Sequence, residues 1–375
     1  GDSGGMTLQS GAQMSSARLQ RLARSGAAAL DVAFDPFADI APGGGDGPTA
    51  LLPGDGGGRL FVGGRFTRLS GGQIRLGLAA LNADGSPDAL TALAEAQRTA
   101  TVSGLARDAD SGALYLVGDF LRVNGTLRQG LVRLFADGAV DSAFRPVARS
   151  YTAVAFADGG LYVADDDTRQ LRRLDPLSGD PAPGFVPIGY TQTVGQLQRA
   201  GTHLYLIGSF QLSGITPPLV RLARMRLADG GIDTAFRFTP NAGGFFNGLA
   251  FDLASDSLFL FGSFSSLNGQ AAQHLVRVDA ASLAIDPLFS PQPNAALQAG
   301  VVDETGGLWL SGGFTTLAGQ PCRAPARLLI DADGALDPGF SCDRSPLGSG
   351  ALAYTRDAVY GQFGGVLRRF ARVDG

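Results

Sequence analysis

The sequence predicts an all-β chain, a β-propeller of seven blades with four antiparallel strands each, eight blades being the alternative count. Three observations carry this reading. Apolar segments recur near Leu60, Leu114, Leu161, Leu204, Leu258, Leu308 and Val359, at a spacing of roughly 43 to 54 residues that suits one four-stranded blade. Each segment is followed by similar punctuation: Gly-x-Phe, a further Gly, an Arg-bearing strand, Asp-Gly, then Asp and Phe. Composition agrees, because all but two of the 34 acidic residues are Asp and there are 55 Gly, residues that favour turns over helix surfaces.

The units can be read one after another. One gives LYLVGDF over residues 114–120, then Gly125, LVRLFADG ending at Gly138 and VDSAF ending at Phe144. The next full copies give LYLIGSF ending at Phe210, Gly214 and IDTAF ending at Phe236; LFLFGSF ending at Phe264, Gly269 and IDPLF ending at Phe289; and LWLSGGF ending at Phe314, Gly319 and LDPGF ending at Phe340. The first strand of each unit is a short apolar run such as TAVAF. The second is the LYLVG-type segment, the third carries the Arg, and Asp-Gly turns the chain into the fourth, as hairpins prefer. Several fourth strands end in Phe-x-Pro, as at Phe144 and Phe289. Proline cannot donate to a ladder, which places that strand at the outer edge of its sheet.

The last unit stops at Gly375 before its fourth strand, while residues 30–34 near the N-terminus have that strand's Leu-Asp-x-x-Phe pattern. The expectation is therefore a ring closed by an N-terminal strand that completes the last blade. Residues 27–375 form the propeller, and residues 1–26 are a tether or an extra strand. The Gly-Asp-Ser-Gly-Gly start suits a tether that follows a lipid anchor upstream.

The segments LAALNADGSPDAL (residues 78–90) and LVRLFADGAVDSAF resemble the bacterial delta-60 repeat family. The resemblance runs over nearly the whole chain. The unit LYVADDDTRQLRRLD departs most, having lost Gly-x-Phe and the long connection after it. The resemblance implies a secreted, periplasmic or outer-membrane-surface propeller with no general catalytic signature.

Net charge is −4, with 30 basic residues that are all Arg, and no basic run is long enough to make a nucleic-acid-binding face. No stretch of 18 apolar residues is present to span a membrane as a helix. The absence of Lys excludes P-loop and Schiff-base chemistry. Ser3 of Gly-Asp-Ser-Gly-Gly has no upstream His or Asp to activate it, so no catalytic residue is assigned. The two histidines, His203 and His274, are too few for a metal site without further ligands. Cys322 and Cys342 are the only cysteines. They fall on loops that open onto one face, and a disulfide is expected.

Three adjacent acids, Asp165, Asp166 and Asp167, are read as a solvated loop, with a Ca²⁺ site as the alternative. The Asp-x-Asp-Gly at Asp331 to Gly334 is read as a hairpin turn. The strand-three arginines (Arg133, Arg277, Arg327) are expected to pair with Asp141, Asp286 and Asp337 across strands. The connections between blades carry Arg149, Tyr151, Tyr190, Phe245, Phe246 and Asn247, which are the candidate contacts for a protein or other envelope macromolecule. The leading expectation is thus a non-catalytic partner-binding propeller. The alternatives are a propeller enzyme or sugar binder with a metal-dependent site, and a structural subunit of an extracellular assembly.

Overall fold

The computed structural model describes residues 20–21, 47–54, 59–67, 69, 74–88, 94–95, 101–331, 333–340, 342, 352–355, 358–363 and 366–371. Among these residues the chain is all-β, with no helix. Among the described residues seven antiparallel sheets follow one another along the chain, the third and fourth joined edge to edge through Ile188–Thr191. Their inner strands are Gly47–Pro53, Thr101–Arg107, Tyr151–Ala157, Val194–Ala200, Phe245–Asp252, Leu297–Val302 and Leu352–Thr355. The second strands are Leu60–Arg65, Leu114–Asp119, Gly160–Asp165, His203–Leu212, Ser257–Ser263, Gly307–Gly312 and Ala358–Phe363. Leu78–Leu81, Leu131–Leu134, Gln170–Leu174, Val220–Arg226, Leu275–Asp279, Ala326–Leu329 and Val366–Ala371 follow as third strands.

The second strands read as continuous apolar runs because both of their faces are covered. Leu114 to Val117, for example, are buried without alternation. One apolar cluster joins the second and third sheets, another the third and fourth, and another the fourth and fifth. The pattern continues at the chain ends: Leu60, Val62 and Phe66 of the first sheet pack with Ala353, Ala358 and Tyr360 of the seventh, and their inner strands touch.

The fourth strand is shorter than expected. Among the described residues, the segment that follows the Asp-Gly turn forms a registered strand in the sixth sheet alone, Ala335–Leu336; the third sheet is extended instead by the later segment Ile188–Thr191. In the first five sheets this segment makes a single bridge, such as Leu134 with Val140 or Val278 with Ile285. The Asp that follows turns the chain away, because its carboxylate accepts a backbone N–H two residues on, as Asp141 does from Ala143 and Asp286 from Leu288. On the last sheet the outer partner is Gln20–Arg21, parallel to Arg368 and Arg369. The segment expected there, residues 30–34, lies outside the described residues, as do Ser3 and most of residues 1–26.

A β-bulge sits at one place in the inner strand of each of the first six sheets. The bulged residues are Thr49, Ser103, Thr152, Gly195, Asn247 and Gln298. The extra residue sharpens the local twist. It also pushes the preceding carbonyl against the opposite strand, and there the Gly of Gly-x-Phe becomes obligatory. A Cβ on Gly262 would lie 2.1 Å from the Phe245 carbonyl oxygen, and one on Gly312 would lie 2.5 Å from that of Ala296. Three bulged side chains bond to the next sheet. Thr49 Oγ1 donates to the Val102 carbonyl, Thr152 Oγ1 to that of Val194 and Asn247 Nδ2 to that of Leu297, each at 2.7 Å.

Two adjacent glycines separate this constraint from glycine content in general. A Cβ on exposed Gly313 meets nothing closer than the Ala295 Cβ at 4.0 Å. Gly312→Ala is expected to cost about 2–3 kcal/mol in urea unfolding and Gly313→Ala less than about 0.5 kcal/mol. Equal losses from the two substitutions would contradict the bulge account.

Candidate functional site

The conserved-looking charges of the repeat are spent inside the sheets. Arg133 pairs with Asp141, Arg224 with Asp233, Arg277 with Asp286 and Arg327 with Asp337. Each guanidinium also lies over an aromatic ring of its own sheet: Tyr115, Phe236, Phe289 and Trp309 respectively. Arg224 and Arg277 reach further, donating to the Ala280 and Ile330 carbonyls of the following sheet at 2.9 and 2.8 Å. Burial pushes the Asp233 carboxyl up, but the Arg224 hydrogen bond and charge, with the N–H groups of Ala235 and Phe236, outweigh it and leave the pKa below the ordinary range. Asp303 is held at about 2 in the same way: burial opposes ionisation, and Arg327, Thr305, the Gly307 N–H and Trp309 together overcome it.

Two sheets depart from this scheme. In the first, Ala80 stands where the third-strand Arg would be, and Arg59 from the second strand takes Asp88 instead, at 2.5 Å. In the third, Ala182 stands where the Asp would be, since its N–H bonds the Arg173 carbonyl as the Asp141 N–H bonds that of Arg133. Arg173 Nε is left buried without a partner.

That third sheet also gathers most of the residues singled out in the sequence. Asp165 occupies the position that Gly holds in the other motifs, opposite Tyr151. Its carboxylate is fully buried, 2.9 Å from Arg172 and 3.4 Å from Arg149. Asp166 pairs instead with Arg169, and Asp167 accepts the Ser150 N–H at 3.0 Å. Three acids adjacent in sequence therefore face three different sets of partners. Among the described residues no group of His, Cys, Asp or Glu is arranged to hold a metal ion.

Tyr190 donates to the Asp165 carbonyl and Tyr151 to that of Val147. Burial, then the Asp165 charge, pushes Tyr151 up to about 12, and burial with Asp166 and Asp165 pushes Tyr190 up as well, so both hydroxyls remain donors. On the fifth sheet Phe245 is 40% exposed whereas Phe246 is buried, and Asn247 is the bulged residue already described. Cys322 and Cys342 form the expected disulfide, with Cα atoms 4.8 Å apart. It ties the hairpin after a second strand to the segment after a fourth strand. Closing a loop of this size stabilises by about 3 kcal/mol in the chain-entropy model.

Two cavities meet at the centre. A channel of about 590 Å³ is lined by the inner strands of all seven sheets, with Thr49, Ser103, Thr152, Gln196, Gln198, Asn247 and Gln298 as its polar groups. A groove of about 650 Å³ between the second and third sheets shares Ser103 and Thr152 with the channel and brings in Asp119, Gln129, Arg149 and Tyr151. Of the channel's polar residues, sequence reasoning singled out Asn247 alone, as a partner contact, and missed the rest. The signal was a polar or Gly residue opening each inner strand (TALL, SGLA, TAVA, GQLQ, NGLA, QAGV), a periodicity of the whole unit and not of any one strand.

A family model described as a domain of unknown function (DUF5122), beta-propeller, matches residues 58–90 and 111–144, which fall in the first two sheets. The chain is built of β-propeller repeats. No curated protein matches it in sequence. Solved structures share the propeller at low identity. A structure of Kuenenia stuttgartiensis hydrazine synthase aligns at TM-score 0.56 and 12% identity over 87% of this chain and 96% of that one. Virginiamycin B lyase from Staphylococcus aureus aligns at TM-score 0.58 and 12% identity over 90% and 98%. The extracellular domain of a B. thetaiotaomicron protein described as a hybrid two component system aligns at 0.53 and 12%, over 91% of this chain and 40% of that one. At such identity these likenesses establish the propeller fold alone.

Two measurements test the electrostatics. Ala182→Asp supplies the carboxylate that Arg173 lacks and is expected to raise stability by about 0.5–1.5 kcal/mol; no gain would mean that the clamp geometry does not extend to the third sheet. His274 Nδ1 accepts the Phe264 N–H at 3.2 Å, and burial lowers its pKa despite a backbone hydrogen bond near Gly262. The unfolded chain then binds the proton more readily, so this contribution is present above the unfolded pKa of about 6.5 and is lost as pH falls below it. Burial lowers His203 too, so His274→Asn, which keeps an acceptor, is expected to remove only part of the stability lost between neutral and mildly acidic pH. A wild-type slope in that variant would contradict the assignment.

Proposed function

We propose that this chain is a secreted or cell-surface propeller of seven blades, of delta-60 repeat type, that binds a protein or other macromolecular partner through its loop face without catalysing a reaction. The loop face is the one bearing the hairpins between second and third strands and the connections from blade to blade. One sheet per repeat supports the count of seven, and the apolar cluster shared by the first and seventh sheets supports ring closure. The disulfide favours an oxidising compartment, and the likeness to an extracellular domain is in keeping with that.

One observation carries the binding reading. Among the described residues, five of the nine large apolar side chains left exposed, Ile74, Leu127, Val147, Val186 and Phe245, lie on hairpins or connections of the loop face, while Phe135, Leu177 and Leu253 lie on turns of the opposite face and Leu288 at the outer edge. The loop face therefore carries the larger share of the exposed apolar groups that mark interaction surfaces. The repeated Arg–Asp pairs are meanwhile occupied within the blades, which argues against their serving as a charged catalytic set. No helix among the described residues is long and apolar enough to cross a membrane.

The test is recovery of a stoichiometric partner from bacterial envelope extract on immobilised protein. Phe245→Asp is expected to reduce capture at least tenfold, and Leu288→Asp, on the outer edge, to leave it unchanged. Equal capture by both variants, or no stoichiometric partner at all, would overturn the reading.

A further inference from the structure

The channel differs from the rest of the molecule in one respect. The chain has 30 Arg and 34 acids, yet among the described residues none of them lines the channel. Its polar groups are hydroxyls and carboxamides, which both donate and accept. They are also unevenly distributed. The first three sheets contribute Thr49, Ser103 and Thr152 among small and aliphatic residues, whereas the carboxamides come from the fourth, fifth and sixth sheets.

A buried aromatic ring lies beside the amide wall. Phe261 forms part of the channel lining, and two glycines stand on either side of it. A Cβ on Gly248 would lie 2.7 Å from the Phe261 ring and one on Gly300 would lie 2.9 Å from it, so neither residue places a side chain between the ring and the channel. Gln196 Oε1 lies 3.7 Å from that same Gly248 position, and Gln196 Nε2 donates to Gln198 Oε1 at 3.4 Å. Asn247 is already committed to the Leu297 carbonyl. Gln298, the bulged residue of the next sheet, is exposed and makes no protein hydrogen bond among the described residues. Small and aliphatic walls, hydroxyls, carboxamides with unused hydrogen-bonding capacity and no charged group among the described lining residues together form the chemistry that recognises a polyhydroxylated neutral molecule. Such a molecule offers apolar C–H faces to the aliphatic walls and hydroxyls to the amides. The channel volume lies within the usual few hundred to about 1,000 Å³ of small-molecule sites.

We propose that the central channel binds a short neutral saccharide, held by Gln196, Gln198 and Gln298. This site is separate from the loop-face contacts. A charged sugar would shed hydration there without gaining a countercharge, so neutrality is part of the specificity.

The experiment is calorimetric titration of the full chain with cellobiose, maltose and diacetylchitobiose, alongside uronic-acid and amino-sugar counterparts. At least one neutral disaccharide is expected to bind at millimolar concentration or below, more tightly than its charged counterparts. Gln196→Leu and Gln298→Leu are each expected to weaken binding by about tenfold, the loss of a well-placed hydrogen bond. Both side chains are exposed, and an unchanged melting temperature verifies that the variants fold. Phe245→Asp is expected to leave sugar binding intact, which keeps this result independent of the loop-face test. The proposal is overturned if no neutral disaccharide binds, if charged counterparts bind equally well, or if both folded Gln variants bind as the wild type does.

Discussion

A carbonyl oxygen pressed against a glycine organises this molecule. In the first, second, fourth, fifth and sixth sheets, the bulge in the inner strand brings the preceding backbone carbonyl to where a Cβ of the second strand would lie. The contact allows the two strands to approach closely and to twist together. It turns the bulged side chain toward the centre, where Thr49 and Asn247 bond the neighbouring sheet, as Thr152 does from the third sheet's bulge opposite Asp165. It also leads the chain to the buried Phe of the motif, such as Phe120, Phe210 or Phe264. Channel lining, contact between sheets and placement of the loop face all follow from that local geometry. The third sheet, where Asp165 replaces the glycine, is where the hairpin is lost and the groove opens.

Charge is used for a second kind of link. In the second, fourth, fifth and sixth sheets one arginine stacks on a ring and grips a carboxylate, and in two of them it also reaches the next sheet's backbone. Only a planar guanidinium with several fixed donors can do all three at once; an ammonium offers neither the stacking face nor the fork. These positions therefore require Arg whatever the cause of its dominance elsewhere in the chain. The consequence for function is economy: with the repeated charges spent inside the sheets, the channel is left neutral.

Much of this was legible in the sequence. The seven second strands, the disulfide and the pairs Arg133–Asp141, Arg277–Asp286 and Arg327–Asp337 all follow from spacing and residue type. The Asn124-Gly125 and Asn268-Gly269 turns have both residues at positive φ, as a two-residue hairpin demands. Other features were illegible for physical reasons. The fourth strand looked regular because its apolar residues alternate, but an Asp side chain ends its pairing after one bridge. The Asp triplet reads as a solvated loop, since side chains alternate along extended backbone, but Asp165 is fully buried against Arg172 and Arg149, partners that come from other strands and connections and leave no local mark. The channel residues come one or two at a time from strands far apart in the chain, so nothing local marks Gln196, Phe261 and Gln298 as neighbours.

The account makes the propeller a closed ring whose first and seventh sheets are neighbours, with a neutral ligand site at its axis and a partner surface on one face. A closed ring and an open stack of the same sheets differ in how they come apart. A linear array opens from its ends, and its terminal repeats are the least protected. Native-state hydrogen exchange on the inner strands decides between them. The account predicts that amides of Gly47–Pro53 and Leu352–Thr355 are protected to the same degree as those of Val194–Ala200 in the middle of the chain. Protection that falls steadily from the central sheets toward both ends would contradict it.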